Sequence, residues 1–67
     1  MNLYVWENVY RDYTAGIAFA WANDSEEARR LIVEKAGYPD AGLAGPPFVI
    51  QSTDQERAIA WVCKGGG

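Results

Sequence analysis

Large apolar residues alternate with small ones in two stretches of this chain. Ile17, Phe19 and Trp21 alternate with Ala18, Ala20 and Ala22, and Ile59, Trp61 and Cys63 alternate with Ala58, Ala60 and Val62. A period of two puts successive side chains on opposite faces of a strand, so both stretches predict strands with one bulky face and one small face. Asn2 to Tyr10, rich in Tyr, Val and Trp, predicts a strand that is apolar on both sides: Leu3, Val5 and Val9 on one, Tyr4, Trp6 and Tyr10 on the other. Arg11 to Gly16 is polar and turn-forming, with Gly16 free to take a positive φ, and joins the first two strands as a hairpin.

The period changes after Ala22. Asp24 stands as an N-cap with Glu27 three residues on, a capping-box spacing. A helix is expected from Ser25 to Ala36, with Ala28, Leu31, Ile32 and Ala36 on its apolar face, Leu31 at the centre, and Glu26, Arg30 and Glu34 paired outside. Gly37 suits the position after its last turn. Tyr38 to Pro47 is broken by Pro39, Gly42, Gly45, Pro46 and Pro47. It reads either as an adaptable binding loop, with Tyr38 and Leu43 as contacts, or as a crossover returning to the sheet. Phe48 to Ser52 and Ala58 to Cys63 then predict two strands joined by the polar turn Thr53 to Arg57, a second hairpin. The expected fold is α+β: β-β-α-β-β, a four-stranded antiparallel sheet with one helix on one face, occupying residues 1–64 and followed by a glycine tail at 65–67.

Composition narrows the function. With 67 residues, 49% of them apolar, the chain fits one small globular domain, and Met1 to Tyr10 has neither the basic start nor the apolar run of a signal peptide or membrane anchor. Six Lys and Arg against nine Asp and Glu give a net charge of −3, which argues against nucleic acid as a partner. A lone Cys63 excludes an intrachain disulfide and fits a cytoplasmic setting, where it reads as a small buried residue near a strand end. Without His, imidazole catalysis and His-based zinc sites are excluded, and no Gly-rich phosphate loop opens a helix. The carboxylate pairs Glu7 with Asp12 and Asp54 with Glu56 fall in or beside turns, where such groups are ordinarily solvated. No catalytic residues, cofactor or metal are expected.

Aromatic residues are what remains. Trp6, Trp21 and Trp61 fall on three different strands, and pairing as hairpins gathers them on one face of the sheet. Either they form the core under the helix, or the helix packs on the Ala18, Ala20, Ala60 and Val62 face and leaves the Trp face to a second subunit or partner. A 12-residue helix, about 18 Å long at the usual rise, is too short to cover both faces of such a sheet, so a homodimer is expected. The alternative is a small-molecule or nucleotide-sequestering oligomer, its pocket assembled between subunits from Tyr13, Thr14, Trp side chains and glycine backbone. Tyr13 and Tyr38 join the three Trp as candidate interaction residues.

The opening NLYVWENVYRDYTAGIAFAWANDSEEARRLI and closing WVCKGGG resemble a group of short, uncharacterised prokaryotic and phage proteins. That group shares a first strand, a D-Y-T-x-G turn (here Asp12, Tyr13, Thr14 and Gly16), a strand, an S-x-E-A helix start and a glycine-rich end. The resemblance carries no function. It implies a phage or mobile-element origin, and with it, by class analogy, inhibition of a host defence system.

Overall fold

A computed structural model describes residues 1–66. Its elements are β1 (Asn2–Val9), β2 (Gly16–Ala22), α1 (Ser25–Ala36), a single 3-10 turn (Ala41–Ala44), β3 (Phe48–Ile50) and β4 (Ile59–Cys63). The four strands form one antiparallel sheet in the order β3-β1-β2-β4, so the α+β architecture holds.

The expected second hairpin does not form. β3 pairs with β1 and β4 with β2, at opposite edges of the sheet. This arrangement gives each of the two long strands a partner on both sides and leaves the short ones outside. The edges lie three strand spacings apart, about 14 Å, which residues 51–58 span easily. That connection is tied to the chain start: the Met1 amino group donates to Gln55 O at 2.9 Å, Thr53 N donates to Met1 O at 3.0 Å, and Ser52 N donates to Asn2 Oδ1 at 3.0 Å.

α1 begins as its sequence implies. Glu27 N donates to the Asp24 carboxylate at 2.8 Å, and the Glu27 carboxylate accepts from Asn23 N at 2.8 Å. Gly37 ends it at φ 92°, and the Lys64 ammonium donates to Ala36 O at 2.9 Å, at the helix end that favours a cation. Outside, Glu26 pairs with Arg29 rather than Arg30, while Arg30 pairs with Glu34. Ile32 is fully buried and Leu31 only partly, so the stripe centres one residue later than expected.

One face of the sheet is covered by two different elements. α1 lies over β2 and β4, and the Tyr38 to Pro47 segment covers the β1 side as a crossover. Asp40 clamps this crossover, accepting from Gly42 N at 2.9 Å and from Tyr10 N at 3.0 Å. Leu43 drops into the core, Trp6 Nε1 donates to Gly45 O at 2.9 Å, and Arg29 Nε donates to Leu43 O at 2.7 Å. A register shift between Glu7 and Val9, with Asn8 at φ 58°, turns Val9 into this same core rather than onto the side of Leu3 and Val5.

Gly65 and Gly66 belong to the domain. Gly65 N donates to Tyr10 O at 2.9 Å, and Thr14 N and Gly66 O pair at 3.1 Å, locking the chain end into the β1–β2 turn. Gly67 lies outside the described residues. Glycine at position 16 is required by crowding rather than by positive φ, because a Cβ there would lie 2.5 Å from Val9 O and 2.6 Å from Cys63 O. A Cβ on Gly65 would run into the Thr14 carbonyl and lie 2.9 Å from Asp12 N, whereas one on Gly66 would meet nothing within 4 Å. Gly65→Ala is therefore expected to cost about 1–3 kcal/mol in urea denaturation, and Gly66→Ala to leave the midpoint near that of the parent.

Candidate interaction surface

The register fixes what the uncovered face presents. Tyr4 and Trp6 pair with Ala20 and Ala18 and lie under α1 and the crossover; the residues between them point the other way. At one end level of the open face stand Ile50, Leu3, Trp21 and Ile59, one from each strand in sheet order. The middle level holds Phe48, Val5, Phe19 and Trp61. The far level holds Glu7, Ile17 and Cys63. Ten of these eleven positions are apolar, and Glu7 is the one charge.

Phe48 is 65% exposed and Trp61 49%, with Ile17, Ile50 and Ile59 also exposed. Phe19 and Trp21 meet edge to face on β2, ring centroids 5.7 Å apart at 86°. Given that a single aromatic side chain offers about 150–250 Å², the patch reaches several hundred Å², the upper range for an isolated chain. Its edges are guarded. β3 has three residues and follows Pro46 and Pro47, while Lys35 of α1 reaches round β4 to place its ammonium 5.8 Å from the Trp61 ring centroid.

The three Trp do not share a face. Trp21 and Trp61 are on the open side; Trp6 pairs with Ala18 and is 3% exposed, with the Arg29 guanidinium 5.3 Å from its ring. The expected gathering of all three assumed hairpin neighbours without the register, and register decides the face. Tyr38 lies on the helix side, edge to face with Tyr10 at 5.2 Å and beneath the Lys64 ammonium at 4.5 Å. Tyr13 stands at the hairpin tip, 86% exposed. Its neighbour Thr14 has its hydroxyl engaged by Gly66 N at 2.9 Å, so this turn and the glycines brace each other rather than line a pocket within one chain. Cys63 is exposed on the open face, not buried.

Leu3, Val5, Ile17, Phe19, Phe48, Ile50 and Ile59 complete the surface that the aromatic residues alone had marked only in part. The bulky phase of each strand carried them in the sequence, but the register needed to align those phases was missing. Elsewhere, a groove of about 440 Å³ runs between α1 and the crossover; four of its five charged side chains are matched in the Arg29–Glu26 and Arg30–Glu34 pairs, and the fifth, Asp40, accepts from Tyr10 N and Gly42 N. Tyr10 is held protonated above its ordinary range by burial first, then by the carboxylate of Asp40 and by Tyr38; its hydroxyl donates to Tyr38 O at 2.9 Å. Among the described residues no cluster of three or more His, Cys, Asp or Glu could hold a metal ion, and no helix is long and apolar enough to cross a membrane. No family model, curated protein or solved structure matches the chain.

Proposed function

We propose that this protein is a non-catalytic interaction module that binds a second copy of itself through the open face of its sheet. The observation that carries the reading is an eleven-position face with one charge and, among the described residues, no covering element. Water contact with so much clustered apolar surface is unfavourable at about 25 cal/mol per Å². Standard interfaces take about 800 Å² from each partner, and this face of several hundred Å² supplies a large part of that.

The guarded edges favour face-to-face association over strand addition, because Lys35 would have to be displaced before another strand could join β4. A partner of opposite charge would need a charged docking surface, and this one offers only Glu7. The small-molecule alternative has less support, since Thr14 and the glycine backbone are already bonded to one another.

Sedimentation equilibrium across the micromolar range is expected to give twice the 7.4 kDa chain mass. Phe19→Asp, which puts a carboxylate at the centre of the face, is expected to weaken association at least about a hundredfold while leaving the helical circular dichroism signal in place. A parent protein that stays at 7.4 kDa throughout would overturn the reading.

A further inference from the structure

The open face is uneven in a way that selects how two copies fit. Its two central columns differ in bulk: β1 presents Leu3 and Val5, and β2 presents Trp21 and Phe19 at the same two levels. The edge-to-face contact of Phe19 with Trp21 makes β2 a stiff aromatic ridge beside a lower aliphatic strip. In the outer columns, Phe48 on β3 and Trp61 on β4 share the middle level from opposite edges.

Building on the self-association proposed above, we infer that two copies stack sheet on sheet about a twofold axis parallel to the strands, each copy's Phe19 and Trp21 ridge seated on the partner's Val5 and the partner's Leu3. This axis exchanges columns and keeps levels. It sets β1 over the partner strand equivalent to β2, and Phe48 over the partner's Trp61. Aligned sheets pack about 10 Å apart with their strands within about 30° of one another, which this axis satisfies.

The other twofold axis in the plane of the interface runs across the strands, keeps columns and exchanges levels. Ridge would then meet ridge and strip would meet strip, leaving a crowded line beside a void, and cores tolerate neither. Under either axis Glu7 lies on β1 at an end level, where its carboxylate keeps water, so the choice of axis rests on bulk. Bulk therefore selects the axis along the strands. The match is also what identifies the occupant: a surface whose bulky central column fits its own smaller central column after a twofold rotation is complementary to itself.

Disulfide trapping separates the two axes. Phe48→Cys and Trp61→Cys are made as separate variants in a Cys63→Ser background, one of them size-tagged, and oxidised alone and mixed. Disulfides between facing sheets are sterically ordinary. Positions 48 and 61 of one chain stand three strand spacings apart, about 14 Å, too far to bridge within a sheet.

The expected result is a mixed covalent dimer, about tenfold in excess of either variant oxidised alone. If each variant cross-links to itself as readily as to the other, the columns are kept and the proposed axis is wrong, while self-association stands. A noncovalent dimer that cross-links in neither experiment also overturns the axis. A parent chain that sediments only as monomer overturns the axis and the self-association reading together.

Discussion

Ile32→Asp should abolish the folded state. The sheet side facing α1 is built largely of alanine: Ala18, Ala20, Ala22 and Ala60 are all buried. Alanine lets the helix approach closely but adds little volume, so the helix must supply the bulk over β2 and β4. Ile32, with no exposed surface, is the largest fully buried side chain on α1. Replacing it removes a packing contribution of about 2–5 kcal/mol and buries a carboxylate without a partner, which costs several kcal/mol more or forces it to stay protonated. A domain of this length has roughly 3–10 kcal/mol of stability, so the helical circular dichroism signal is expected to be lost at room temperature. Leu31→Asp is the control. Leu31 is partly exposed on the helix flank, its carboxylate can reach water, and a loss of only about 1–2 kcal/mol is expected in urea melts. A parent-like melt for Ile32→Asp would mean that α1 presents a different face to the sheet.

The elements of this fold were legible because each is specified locally. Asp24, Glu27 and Gly37 mark the helix ends through bonds made within a few residues, and alternation in residues 17–22 marks β2 without reference to any other strand. Strand order was not local. The polar stretch after β3 resembles a hairpin turn, but the pairing of β3 with β1 depends on bonds between the chain start and Thr53 and Gln55, more than fifty residues apart. The face of Val9 was misread for a related reason: one left-handed residue, Asn8, resets the alternation, and asparagine tolerates that conformation without announcing it. Close backbone approach at the glycine end is likewise a tertiary property, visible only once Thr14 is placed against Gly65 and Gly66. As for the candidate surface, alternation in β2 and β4 put Trp21 and Trp61 on their strands' bulky faces, opposite the alanines that receive the helix. Trp6 was assigned the face of Tyr4, where it is. What its own strand could not show is that this is the face of Ala18, so that Trp6 stands across the sheet from the other two.

That division of the tryptophans has the second large consequence. Trp6→Ala is expected to destabilise the fold by about 3–5 kcal/mol, because its ring is buried among the crossover, β1 and Arg29, and its indole N–H is bonded to Gly45 O. At about 4–8 °C per kcal/mol for a domain of this size, the melting temperature should fall by at least about 12 °C. Trp61→Ala removes a ring of similar size whose outer half faces solvent in the single chain, so its direct cost to the monomer should stay within about 1 kcal/mol. Its large effect should appear in concentration dependence instead. Binding a second copy stabilises the folded state by mass action, so the parent's melting temperature should climb with protein concentration. Trp61→Ala should flatten that climb, and Trp6→Ala, measured where it still folds, should retain it. If Trp61→Ala instead lowered the melting temperature as far as Trp6→Ala at every concentration, Trp61 would be holding the monomer together, and the open face would have no need of a partner.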